Sequence, residues 1–208
     1  MKAVLLNCSL EKGTKETDTE KLLHESAQIF QREEIDVERI HLRDFHINFG
    51  ITDQLDNEDD WPFVFEKILG ADILLLATPI AMGDKSSLAS LILERLQGYH
   101  QLKNRKGQGI FYNKVGGAIV ADGGDGGARL AAQSIHYRLS MLGYTLPPHA
   151  SAICNEKLED PAQSDWDCIE EEVVRMTYNV IHFAELLHFN PIPVIGNKVD
   201  DKKVPPKG

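Results

Sequence analysis

The chain has 208 residues, 42% of them hydrophobic and 26% charged, with a formal net charge of −10 at pH 7. That places it in the ordinary range of soluble globular proteins and gives it length enough for one well-packed domain. The negative balance excludes nucleic acid and anionic membrane surfaces as partners, since both demand attraction to phosphate, and leaves small molecules as the expected ligands.

No apolar run approaches the roughly 18 residues of a membrane span. Met1-Lys2-Ala3-Val4-Leu5-Leu6 enters a strand at once, without the layout of a signal peptide, so a cytoplasmic location is expected. The three cysteines, Cys8, Cys154 and Cys168, are too far apart for a CxxC centre and too few for a disulfide framework. They read as structural thiols.

Taken in order, Lys2 to Leu6 form a short apolar strand, followed by a polar loop from Asn7 to Thr19 that is rich in hydroxyls. An amphipathic helix carrying Leu22, Leu23, Ala27, Ile29 and Phe30 comes next, with Thr17-Asp18-Thr19 as its caps. Val37, Ile40 and Leu42 alternate with charged residues as in an edge strand. Asn57-Glu58-Asp59-Asp60-Trp61-Pro62 reads as an acidic first turn, with proline early in a helix that ends about Leu69.

Ala71 to Ala77 is too continuously apolar for a strand with one wet face and is expected to be a central strand buried on both sides, stopped by Thr78-Pro79. A Gly-containing loop leads to Ser86-Ser87, which opens a helix marked by Leu88, Leu91, Ile92, Leu93 and Leu96. The stretch around Lys103, Arg105 and Lys106 reads as a surface connection. Lys114 to Ala121 is a fourth strand running into Asp122-Gly123-Gly124-Asp125-Gly126-Gly127, and the helix from Ala128 to Leu142 closes on Gly143. A fifth strand follows the Pro147-Pro148 break, and Trp166 to Phe189 is a long helix. Residues 1–189 thus form one domain, and 190–208 an extended C-terminal tail.

Five strands alternating with helices through right-handed crossovers imply an α/β fold, a three-layer α/β/α sandwich on a parallel sheet. In the flavodoxin-like order 2-1-3-4-5, the loops after strands 1, 3 and 4 lie side by side. Loop one offers Ser9, Thr17, Asp18 and Thr19 with the free N–H groups of a helix start, a setting for phosphate. Loops two and three, Thr78 to Gly83 and Asp122 to Gly127, have small residues that let a flat heterocycle approach the main chain. Asn197-Lys198-Val199-Asp200 spells a guanine-recognition tetrapeptide, but no phosphate loop of the GxxxxGK[ST] type accompanies it.

With these motifs the sequence resembles the flavodoxin-like NAD(P)H-dependent FMN reductase family over about residues 2–155. The resemblance rests on Asn7-Cys8-Ser9, on Thr78-Pro79-Ile80 with Ser86-Ser87 downstream, and on Lys114-Val115-Gly116-Gly117 leading into the glycine loop, with Leu142-Gly143-Tyr144 and Pro147-Pro148 behind. It implies that loop one cradles the phosphate of FMN. Thr78, Pro79, Ile80, Ala81, Met82 and Gly83 would border the isoalloxazine on one side, and Asp122, Gly123, Gly124, Asp125, Gly126 and Gly127 on the other. The chain departs from the family in having Ala81 and Met82 where an aromatic is usual, and in lacking a Pro-Arg pair after Ser9.

The resemblance further implies an FMN-dependent oxidoreductase that accepts a hydride from NADH or NADPH and reduces a flavin, a quinone or another small acceptor. It implies a homodimer or homotetramer, with the Lys103-Arg105-Lys106 loop near the phosphate of an entering NADPH. No catalytic side chain and no metal is demanded, because the flavin carries the redox step. The alternative is a non-catalytic FMN-binding electron carrier or scaffold.

Overall fold

A computed structural model describes residues 1–11, 17–51, 56–124, 126–155 and 165–198. Its strands are β1 (Lys2–Asn7), β2 (Asp36–His41), β3 (Ile73–Ala81), β4 (Asp84–Lys85), β5 (Val115–Asp122) and β6 (Ser151–Asn155). Its α-helices are α1 (Asp18–Arg32), α2 (Trp61–Gly70), α3 (Ser87–Gln97), α4 (Ala128–Leu142) and α5 (Asp165–Phe189). The sheet order is β2-β1-β3-β5-β6, with every pair in that path parallel. This is the expected five-stranded, flavodoxin-like order. The two-residue β4 is an addition, pairing antiparallel with the end of β3.

Both faces of the sheet are covered, which is why its central strands read as apolar runs rather than as alternation. Ala3 and Leu5 of β1, with Ile73 and Leu75 of β3, face α1 and α5 through Leu22, Phe30, Val173, Met176 and Val180. Val4, Leu6, Leu74 and Leu76 face α2, α3 and α4 through Val64, Ile68, Ile92, Leu96, Ile135 and Leu139. In β5 a Cβ on Gly117 would lie 2.7 Å from Leu75 Cδ2 and 3.3 Å from Met176 Sδ of α5, so α5 packs there against bare backbone.

Two local expectations are corrected. β3 does not stop at Thr78-Pro79 but continues to Ala81, with Pro79 opposite Ala121. The Ala77 carbonyl accepts from the Cys8 N–H at 2.8 Å, so Ala77 faces β1. Two residues on, Pro79 turns its nitrogen to that same side, where the β1 ladder has already ended, and the ladder to β5 loses no donor. The acidic run before Trp61 likewise stays outside the first turn of α2. Asp60 instead accepts from the His46 N–H at 2.8 Å, and Asp59 turns inward to meet Arg95 at 2.9 Å, with both side chains fully buried.

The C-terminal segment is anchored where it is described. Ile192 N–H donates to Asn113 Oδ1 at 2.6 Å, and Gln108 Nε2 reaches the carbonyls of Ile192 and Pro193 at 3.1 and 3.3 Å. These contacts hold it against the connection between α3 and β5. That connection, carrying Lys103, Arg105 and Lys106, enters the amino end of β5, so within one chain it lies at the opposite end of the sheet from loops one, two and three. Residues 199–208 lie outside the described residues.

Candidate flavin site

Parallel strands leave their carboxyl ends at one edge of the sheet, and the order β1-β3-β5 brings the three unusual loops together there. At loop one, Asn7 is buried at the tip of β1; its Oδ1 accepts from the Ser9 N–H at 2.9 Å and its Nδ2 donates to Glu20 Oε2 at 2.5 Å. Ser9 is buried, and its Oγ accepts from the Glu11 N–H at 3.4 Å. Thr17 caps α1, its hydroxyl accepting from the Glu20 N–H at 3.2 Å, and Thr19 is buried in the first turn. Asp18 is partly exposed in the first turn of α1 and paired with Lys21 Nζ at 2.9 Å.

Loop one is tied to loop two by a residue that the sequence pattern identified only as a helix opener. Ser86 Oγ donates to the Cys8 carbonyl at 2.7 Å and accepts from the Ala89 N–H at 3.2 Å, capping α3. Ser86 N–H in turn donates to Thr78 Oγ1 at 3.0 Å, and that hydroxyl donates to the Pro79 carbonyl at 2.8 Å. The buried Thr78 thus has its proton committed and acts as a strut. Cys8 lies beneath the same network, and burial pushes its thiol pKa well above the ordinary range, so it is a packing residue rather than a nucleophile. Burial also raises Cys154, to about 12.

Beyond the strut, Pro79 and Ile80 are half-buried, while Ala81 and Met82 project into solvent. Met82 is completely exposed at φ +54°, a conformation that costs energy for a residue with a Cβ, and Gly83 follows at φ +81°. The hairpin into β4 is fastened by Lys85, whose Nζ contacts Asp84 Oδ1 at 3.3 Å and Ser134 Oγ of α4 at 3.2 Å. The Lys85 backbone N–H, donating to Asp84 at 2.7 Å, holds that carboxyl below its usual range.

In loop three, Asp122 is buried and its Oδ1 accepts from the Gly124 N–H at 3.0 Å, so the carboxylate is turned into its own loop. Gly123, Gly124 and Gly126 are exposed, whereas Asp125 lies outside the described residues. Gly127, at φ +89°, is the N-cap of α4 and makes no side-chain cap. A Cβ on it would fall 1.9 Å from the Gly83 carbonyl oxygen. Loops two and three therefore meet backbone to backbone, a contact that only glycine permits. Cβ atoms built on Gly83, Gly123 and Gly126 meet nothing within 4 Å.

This arrangement fits FMN on its own terms. One corner offers buried hydroxyls and the N-terminus of α1 for a phosphate, and another offers open main chain and the start of α4, which has no side-chain cap, for the polar edge of a ring. Among the described residues no group of three or more His, Cys, Asp or Glu is placed to hold a metal ion. No helix among them is long and apolar enough to cross a membrane.

Comparison with known proteins agrees with this chemistry. Residues 1–157 match the model of the NADPH-dependent FMN reductase family. The chain is 34% identical over 161 residues to the 8-demethyl-8-aminoriboflavin-5'-phosphate synthase of Streptomyces davaonensis, covering 73% of this chain and 62% of the synthase. It is 29% identical over 199 residues to a Mycobacterium bovis protein named divalent metal cation transporter MntH, covering 90% of this chain but 29% of that protein. The chain thus spans less than two thirds of the length of either relative. Among solved structures it resembles RosB with bound 8-demethyl-8-formylriboflavin-5'-phosphate, at a TM-score of 0.82 and 29% identity over 92% of this chain and 82% of RosB. With the family model matched over most of its length and the sheet order that the fold requires, the chain belongs to the NADPH-dependent FMN reductase family of flavodoxin-like flavoproteins.

Proposed function

We propose that this protein is an FMN-dependent oxidoreductase that takes a hydride from NADH or NADPH and delivers it to a flavin, a quinone or another small acceptor. The observation that carries the reading is the backbone contact of Gly83 with Gly127, which joins two open, small-residue loops beside the phosphate-type loop after β1. In this reading the Ser9, Thr17 and Thr19 hydroxyls and the first N–H groups of α1 hold the phosphate. Thr78 and Ser86 fix loop two, residues 79–83 border one side of the ring, and residues 122–127 the other. Bound FMN supplies the hydride-accepting chemistry, and the protein supplies position and electrostatics. The uncapped start of α4 favours negative charge at the ring's polar edge. Ala81 and the fully exposed Met82 leave a face on which a second planar molecule can stack. Assembly as a homodimer or homotetramer is part of the same reading, supported by the exposed Tyr137 and Met141 of α4 beside a groove that also takes in Leu93 and Gln97 of α3.

The test is anaerobic addition of NADH and of NADPH to protein loaded with FMN and desalted. Rapid bleaching of the oxidised-flavin absorption supports the reductase and identifies the donor; retained but unbleached flavin favours a carrier or scaffold. A second reading, that a flavin 5'-phosphate is the substrate, is favoured by the likeness to the aminoriboflavin-phosphate synthase and to RosB. Mass spectrometry of the flavin recovered after turnover in air separates the two: an unchanged mass marks a cofactor, and a changed 8-substituent marks a substrate.

A further inference from the structure

β2 runs parallel to β1 with His41 opposite Asn7, so the turn that follows β2 lies beside the loop that follows β1. Within that turn Leu42 enters the core, while Arg43 reaches across to loop one, its Nη1 donating to the Leu10 carbonyl at 2.5 Å. The rest of the guanidinium is unused. Its Nε is buried without a partner, and among the described residues Arg43 makes no ion pair and its Nη2 no hydrogen bond. Nε and Nη2 together are the edge whose parallel N–H bonds fit two oxygens of one phosphoryl group.

Asp44, the acidic residue next to Arg43, is largely exposed and lies 4.0 Å from His41 Nδ1. The two acidic groups in the first turn of α1 are engaged elsewhere, Asp18 with Lys21 at 2.9 Å, and Glu20 with Arg39 at 3.5 Å and with Asn7. His41 Nε2, at the same corner, is a second buried nitrogen without a partner. A buried donor without an acceptor is costly, and the Arg43 Nε is a fixed cationic donor whose natural partner is an anionic oxygen.

We propose that Arg43, reaching in from the edge strand, is the side-chain cation of the flavin-phosphate site, holding loop one through Leu10 and a phosphoryl oxygen pair through Nε and Nη2. This rests on the reading of loop one as the phosphate cradle. It gives a chain of net charge −10 a positively charged contact for the phosphate that loop one itself does not need to supply.

The experiment compares dissociation constants of FMN and riboflavin, by quenching of flavin fluorescence, for the parent protein, Arg43→Gln and Arg43→Lys, with a thermal melt of each flavin-free protein. The expected result is a parent that prefers FMN and an Arg43→Gln variant that binds FMN about tenfold more weakly or worse, the scale of a charge-assisted bond to phosphate, with riboflavin binding unchanged. Arg43→Lys, which keeps the charge but not the fork, should fall between the two, and it serves as the readout if Arg43→Gln does not fold. Equal loss for both flavins would make Arg43 a prop for the loop and overturn the inference. Full retention of the FMN preference in the variants would overturn it as well. A parent that binds FMN no better than riboflavin would instead remove the phosphate reading of loop one, and the inference with it.

Discussion

The two ends of the parallel sheet are built of opposite materials. At the amino end, Phe65 stacks on Tyr99 with ring centroids 3.6 Å apart, and Phe111 on Tyr144 at 5.1 Å. Trp61 Nε1 donates to Tyr99 Oη at 2.9 Å, and Arg95 lies over the Trp61 ring while paired with Asp59. Lys114 donates to the carbonyls of Leu69 and Ala71 at the end of α2, its pKa lowered by burial. At the carboxyl end there are glycines, serines and threonines, positive φ angles at Met82, Gly83, Gly124, Gly126 and Gly127, and open space above the backbone. Aromatic packing is concentrated at one end, and small residues with access to the main chain at the other. The comparison teaches that the loops can stay thin and open because the strands and helices beneath them are fixed elsewhere.

Three substitutions would sharpen or break that contrast. The largest effect is expected from Asp59→Ala, which breaks the fully buried pair with Arg95 at 2.9 Å and should cost about 3–5 kcal/mol in urea unfolding. Flavin affinity of the folded protein should stay as it was; a loss of affinity without a loss of stability would mean that the two ends are not separate in their roles. Gly127→Ala comes next, because its Cβ would overlap the Gly83 carbonyl at a φ of +89°. Strain of about 1–3 kcal/mol is expected, together with FMN binding weakened by about tenfold or more as loops two and three are forced apart. Retained FMN affinity in that variant would show that the backbone contact is not part of the site. The smallest effect, and of opposite sign, belongs to Tyr144→Phe. The Tyr144 hydroxyl is buried without a partner, so its removal should raise stability by about 1 kcal/mol, seen as an upward shift of the melting temperature. A fall would show that the hydroxyl does find a partner.

Much of the fold was legible in local pattern. The apolar run to Ala77, the serine pair before α3 and the Gly143 stop after α4 each carry their own physics, in burial, capping and a left-handed C-cap at φ +106°. The continuation of β3 through Pro79 was not legible, because whether a missing N–H matters depends on which neighbouring strand has ended. Nor was the inward turn of Asp59, which looks locally like one more residue of an acidic helix start. Its partner Arg95 lies 36 residues on and reads as part of the polar face of α3.

The same division runs through the candidate site. By itself the sequence determined the alternation of strands and helices, the capped start of α1 and the glycine-rich loop after β5, since propensity, capping and φ preferences act within a few residues. Only the tertiary structure decided that Ser86 bridges Cys8 and Thr78, that Gly127 rests on Gly83, and that Arg43 reaches Leu10. Those contacts join segments that become neighbours through the strand order, and no local preference records which polar group will find its partner across a loop.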